Sequence, residues 1–317
     1  MERDPLSDTD DLRAPVQPES GGGTRRPRRS RGGGWTGRLA LAVAAAALAV
    51  ACFNLYLTLT REEVPPEPAT FQYGNRQLEV LEGVARNPYD PSGFTLDQNG
   101  RVTYQGEGVA VRAGIDVSVH QGEIDWSAVA ADGVEFAMIR LGYRGYTQGG
   151  LNLDSCFRQN LQGALEAGLD VGVYFFSQAV SEEEALEEAD FVLQTLEEYG
   201  LKCPVAFDWE FITPGNEART DGMDGQTLTR CALAFCGRVE AAGHTPMVYF
   251  NKNLGYLTYD LSQLTQYGFW LAEYDSVPDF YYHFDLWQYT NEGAVAGIQG
   301  NVDLNLELRA VQKETEE

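Results

Sequence analysis

Histidine is nearly missing from this sequence: there are 3 in 317 residues, His120, His244 and His283. None is spaced with other ligands for a zinc site, which disfavours a zinc peptidase or amidase and leaves no metal or other cofactor to expect. Cysteine is sparse too, at five: Cys52, Cys156, Cys203, Cys231 and Cys236. Their spacing does not resemble a disulfide framework, and small buried hydrophobes are the better reading. Basic residues number 23 against 47 acids. The deficit lies in residues 61–317, which hold 15 basic and 41 acidic side chains. Such a domain repels nucleic acid, which rewards clustered Lys and Arg. No glycine-rich phosphate loop follows the first strand-like segment, which argues against a dinucleotide-binding fold.

What is present is unevenly distributed. Residues 1–38 carry eight arginines against six acids. The first 34 are rich in Gly, Pro, Ser and Arg without apolar periodicity, so a disordered basic tail is expected over 1–38. Then "LALAVAAAALAVACFNLYLTLT", residues 39–60, runs 22 residues without a charge between Arg38 and Arg61. As a helix it would be about 33 Å long, against a hydrocarbon core of about 30 Å. The arginines on its N-terminal side place that side in the cytoplasm. The expectation is a single-pass transmembrane anchor in the cell membrane, with the larger domain outside. A cleaved secretory signal fits less well, because the leading segment is long and the apolar run exceeds a usual signal core. "LAVAC", ending at Cys52, loosely resembles a lipidation site, but apolar "FNLYLTL" continues past it.

Residues 61–112 read as a linker followed by a small β-element. "REEVPPEPAT" is rich in Pro and Glu and should be extended. "FTLDQNGRVTYQGEGVAV" sets Asn99-Gly100 between alternating runs, a hairpin signal. From residue 113 to 312, short apolar segments alternate with helix-like ones. The strand candidates are 114–120, 136–143, 170–177, 204–211, 245–252, 269–275, 284–290 and 301–307. Helices are expected over 154–167, over 181–199 with Ser181 and Glu184 as a capping box, and over 226–242, stopped by Gly243. Eight strands with helices between the early ones predict an α/β fold, an irregular (β/α) barrel of eight strands and about five helices. The last three strands are too close in sequence for full helical crossovers. Residues 313–317 are left as a C-terminal tail.

The stretch "CPVAFDWEF", 203–211, puts Asp208 and Glu210 two residues apart in an apolar strand, hence on one face. No Lys or Arg lies within that strand to pair them, and unpaired buried carboxylates are costly. A site that needs two acids is the alternative. In a barrel, catalytic groups sit at the C-terminal ends of strands, where Asp208 and Glu210 fall. Asp116 lies in the first strand and Asp303 in the last, neighbours once the barrel closes, so all four acids could face one pocket. The competing reading of Asp116 or Asp303 alone is a turn or hydrogen-bonded core residue.

The segments "GIDVSVHQGEIDWSAV", "FAMIRLGYRGY", "DVGVYFFSQA", "PVAFDWE", "FWLAEY" and "LWQYTNEGAVAGIQGNVDLN", in this order, resemble glycoside hydrolase family 25, the lysozyme-like N-acetylmuramidases. The resemblance runs from about Gly114 to Leu308. It implies an irregular barrel and cleavage of the β-1,4 bond between N-acetylmuramic acid and N-acetylglucosamine, with peptidoglycan glycan strands as the partner. It also implies that Asp116, Asp208, Glu210 and Asp303 are the active-site acids. Glycoside cleavage needs a proton donor and a negative group beside an oxocarbenium-like centre. Glu210 is the chosen donor, its proton held by like-charge repulsion from three nearby carboxylates. Asp208 would support the substrate's N-acetyl group or act on the anomeric centre directly, and Asp116 and Asp303 would position substrate or tune the pair. Tyr174, Tyr249, Trp270, Tyr274 and Trp287 are candidate sugar-binding faces, with Tyr174 and Trp270 foremost, and Gln288 a hydrogen-bond partner; aromatics in strands are otherwise core. Two rivals stand: a non-catalytic peptidoglycan-binding module of the same fold, and a hydrolase of another amino-sugar polymer such as chitin.

Overall fold

A computed structural model describes residues 35–59, 69–201, 203–212 and 217–311. The chain forms two units, Met1–Glu67 and Pro68–Glu317. In the first, helix α1 (Trp35–Leu59) begins four residues ahead of the expected start. The expected membrane span at 39–60 falls on this helix; among the described residues, no helix is long and apolar enough to cross a membrane. The tail at 1–34, the linker residues 61–68 and the tail at 313–317 lie outside the described residues.

In the second unit, eight strands close in chain order: β1 (Val109–Val117), β2 (Phe136–Arg144), β3 (Asp170–Ser177), β4 (Pro204–Trp209), β5 (Thr245–Asn251), β6 (Gly268–Ala272), β7 (Leu286–Gly293) and β8 (Val302–Ala310). The first seven are parallel, and β1 pairs with β2 in parallel to complete the ring. Strand β8 runs antiparallel to both β7 and β1. Only residues 294–301 join β7 to β8, and a parallel crossover needs about a dozen residues or more. The chain therefore has to turn back. Five α-helices accompany the ring among the described residues: α2 (Trp126–Ala131), α3 (Phe157–Glu166), α4 (Glu182–Glu197), α5 (Gly225–Ala241) and α6 (Lys252–Leu257).

Helix ends follow local chemistry. Ser181 Oγ accepts from Glu184 N–H at 3.4 Å to open α4, but the Glu184 carboxylate takes the Val180 N–H at 3.0 Å rather than that of Ser181. The expected box is thus displaced by one residue. Gly243, at φ +82°, ends α5, a left-handed position that glycine occupies without steric cost.

Two apolar layers result from strand alternation. Phe136, Met138, Tyr174, Ala206, Met247, Tyr249, Trp270, Ala272 and Leu286 fill the inside of the ring. The opposite faces, such as Val205, Phe207 and Trp209, pack under the helices. Residues 69–108 cover part of the outside. Phe94–Leu96 and Val102–Tyr104 form the hairpin expected around Asn99-Gly100, and the Phe94 ring meets Trp287 edge-on at 5.4 Å. Tyr89 O–H donates to the Phe284 and Leu308 carbonyls at 2.8 and 3.2 Å, and Phe71 stacks on Tyr281 at 4.4 Å.

Candidate active site

At the C-terminal ends of the parallel strands lies a cleft of ≈ 370 Å³ whose walls include Asp116, Asp208, Glu210 and Asp303. Each acid arrives by a different local rule. Asp208 sits near the end of β4, on the inward side with Ala206, while Trp209 points out and is fully buried among apolar neighbours. Glu210 follows one residue past the strand and shares the inward side. Asp116 is the penultimate residue of β1. Because β8 is antiparallel, Asp303, near the start of that strand, pairs in register with Asp116. The reversal of one strand is what brings the chain's last candidate acid to the open end of the barrel.

Tyr174, Tyr249, Trp270, Tyr274 and Gln288 also line this cleft. Trp287 does not, and this corrects the sequence reading. Strand side chains alternate, so Gln288 facing inward turns Trp287 outward, where it is 0% exposed and its Nε1–H donates to the Glu273 carbonyl at 2.8 Å. Trp270 is 1% exposed, with Tyr174 and Tyr249 edge-on to it at 5.8 and 4.9 Å. It offers less open ring than expected. Tyr274, at 54%, is the exposed ring of the set.

A buried amide network holds Asp116. Gln288 Nε2 and Asn305 Nδ2 both donate to Asp116 Oδ2, at 2.8 and 2.7 Å. Trp270 Nε1–H fixes Asn305 by donating to its Oδ1 at 2.8 Å. The hydroxyls of Tyr249 and Tyr274 donate to Gln288 Oε1 at 2.9 and 3.1 Å. Every amide is thereby oriented with its N–H toward the carboxylate. Asp208 is different: its Oδ1 is buried and has no hydrogen-bond partner in the protein.

Burial is the first cause of a raised pKa at all four acids. Asp116 is pushed well up by burial and then by the Asp303 charge, against the pull of its two amide donors. Asp208 is pushed well up by burial, then by Glu210 and Asp116, and drawn down by Arg140. Glu210 is raised by burial and then by Asp303, and Asp303 itself to about 6. Like-charge repulsion is therefore second to desolvation, and at Glu210 it comes from Asp303 rather than from three carboxylates.

Arg140 was not singled out from the sequence, although a lone cation inside the apolar run "FAMIRLGY" was its signal. Its Nε donates to Asp154 Oδ2 at 2.8 Å, and the same oxygen accepts from Val119 N–H at 3.1 Å. Asp154 thus ties the cation to the loop after β1. Ser118, His120, Gln121, Phe176, Asn291 and Asn301 complete the walls. Most come from loops, where no periodicity marks a residue as facing inward.

A barrel with carboxylates gathered at the C-terminal ends of its strands defines a glycosidase-type site. The sequence profile of the glycosyl hydrolases family 25 matches residues 115–298, and the chain belongs to that family. The autolytic lysozyme of Clostridium acetobutylicum is 28% identical over 193 residues, 61% of this chain and 54% of that protein. Among solved structures, a family 25 glycosyl hydrolase from Bacillus anthracis aligns with a TM-score of 0.53 at 21% identity, over 67% of this chain and 94% of that one. The modular autolysin LytC of Streptococcus pneumoniae, in complex with a synthetic peptidoglycan ligand, gives 0.54 at 22%, over 74% of this chain and 54% of that one. These structural likenesses speak for the fold. The chain spans about half the length of the autolytic lysozyme and of LytC.

Proposed function

We propose that this protein is a peptidoglycan muramidase that hydrolyses the β-1,4 bond between N-acetylmuramic acid and N-acetylglucosamine, with no metal or cofactor. The observation that carries the reading is the gathering of Asp116, Asp208, Glu210 and Asp303 in one cleft, with family membership beside it. Glu210 is the proton donor. Desolvation and the Asp303 charge favour its neutral form. The unpartnered Oδ1 of Asp208 suits the N–H of the substrate's acetamido group. That hydrogen bond stabilises the Asp208 anion, and the anion in turn raises the proton affinity of Glu210.

Glu210 gives its proton to the glycosidic oxygen as the C1–O bond breaks. The acetamido carbonyl oxygen closes on C1, and Asp208 offsets the positive charge that spreads to nitrogen. Water then attacks C1 and returns a proton to Glu210, which regenerates the acetamido group and the acid. Substrate-assisted hydrolysis of this kind is an established departure from the two-carboxylate scheme. Asp116, held by Gln288 and Asn305, orients substrate beside the pair, with Tyr274 as the exposed ring for a sugar face.

Digestion of purified peptidoglycan with the full chain tests this reading. The expected products carry muramic acid at the new reducing end, read by mass spectrometry. Binding without cleavage identifies a glycan-binding module, and cleavage of chitin in preference to peptidoglycan identifies a hydrolase of another amino-sugar polymer. The finer reading, that the barrel is held outside the cell membrane by residues 39–60 with a cytoplasmic N-terminus, is supported by the uncharged run and the arginines preceding it.

A further inference from the structure

The β3–β4 ladder ends with Ser177 opposite Trp209. One step further along each strand lie Gln178 and Glu210, where main-chain pairing has stopped. Gln178 is 0% exposed, and its side chain takes over the role of the ladder. Its Nε2 donates to the Glu210 carbonyl and to the Ser177 carbonyl, each at 2.9 Å. Its Oε1 accepts from Thr220 Oγ1–H at 2.9 Å, and its own carbonyl accepts from Arg219 Nη1–H at 2.9 Å. Arg219 is gripped in turn by Glu184, at 2.6 and 2.5 Å. One buried amide therefore joins the main chain at Glu210 to the returning segment at Thr220.

We propose that Gln178 is a positioning residue for Glu210: its amide fixes the main chain that carries the proton donor one residue beyond the end of its strand. The inference rests on the reading of Glu210 given above. The physical argument is that a residue past the last ladder bond has soft φ and ψ, and a carboxyl displaced by about 1 Å loses on the order of 10²-fold in rate. A buried carbonyl and hydroxyl left without partners would also drive rearrangement of this corner. Nothing in Gln178 itself touches the reacting atoms, so its effect belongs in kcat and not in substrate binding.

Two substitutions in the full chain, assayed on soluble peptidoglycan fragments, test it. Gln178→Met keeps the length but loses both the donor and the acceptor; kcat should fall on the order of 10²-fold with KM within about twofold. Gln178→Glu sets a carboxylate against the Glu210 carbonyl. The charged groups around position 178 are Arg219 from the returning segment, Glu184 and Glu188 from α4, and Arg144 from β2, which donates to Glu188 Oε1 at 2.7 Å. When protonated, Glu at this position donates to the Glu210 carbonyl with one oxygen and accepts from Thr220 with the other. Its kcat should therefore be depressed at alkaline pH and return toward wild type as pH falls, at temperatures where thermal unfolding shows the variant fully folded at every pH assayed, so that the rescue is not a regain of stability. If Gln178→Met does not fold, the pH rescue of Gln178→Glu decides. Wild-type kcat in either variant throughout the pH range, or a loss confined to KM, overturns the proposal. Glu210→Gln run alongside separates the two readings: full activity there removes the Glu210 assignment, whereas an inactive Glu210→Gln with unimpaired Gln178 variants removes this proposal alone.

Discussion

Asp303 illustrates how one residue's neighbours set its use. It stands in register with Asp116 and raises the pKa of Glu210. Asp303→Asn removes an anion, so Glu210 ionises more easily and the alkaline limb of kcat should move to lower pH. Asp208→Asn should move that limb in the same direction once substrate is bound, with a lower kcat because the negative group beside the cationic centre is lost. The stability effect has its own sign. Asp303 has a folded pKa of about 6 against an ordinary 3.8, so the folded state binds the extra proton between those values. Its contribution to stability is present below about pH 4 and is lost as pH rises through 6. Asp303→Asn should therefore unfold at a higher temperature than wild type at pH 7, with the gain vanishing below pH 4. An equal Tm difference at both pH values would contradict this account of Asp303.

At the scale of elements, the strands and the longer helices were legible because apolar runs, caps and glycine stops marked them. The third strand, Asp170–Ser177, was read to the residue. Direction within the barrel was not legible. A strand buried on both faces reads as a continuous apolar run, so "LWQYT" does not say whether Trp287 or Gln288 faces the lumen. Asn305, which holds Asp116 at 2.7 Å, sits in β8 with no local sign of its partner 189 positions away. Arg140, by contrast, carried a signal in its isolation. The hairpin of residues 94–104 gives the prediction at this scale. Phe94 is buried against Trp287, outside the ring and away from the cleft. Phe94→Ala should destabilise the protein by about 3–5 kcal/mol, as large aromatic truncations do, read from denaturant unfolding. A cost below about 1 kcal/mol, the level of a surface change, would mean that this contact does not support the barrel.

For the whole molecule, the acidic excess of residues 61–317 points to a well-hydrated domain surface. If residues 39–60 anchor the chain with its N-terminus in the cytoplasm, protease added to intact wall-stripped cells should remove the barrel. Full protection of the barrel while the membrane is intact would reject that orientation.

The proton donor is the central claim, and kcat of Glu210→Gln on purified peptidoglycan tests it most directly. The variant keeps shape and some hydrogen bonding but delivers no proton. General acid catalysis contributes about 10²–10⁴-fold, so kcat should fall by that order while glycan binding persists and wild type releases muramic acid reducing ends. A Glu210→Gln protein that cuts peptidoglycan at the wild-type rate would contradict the account.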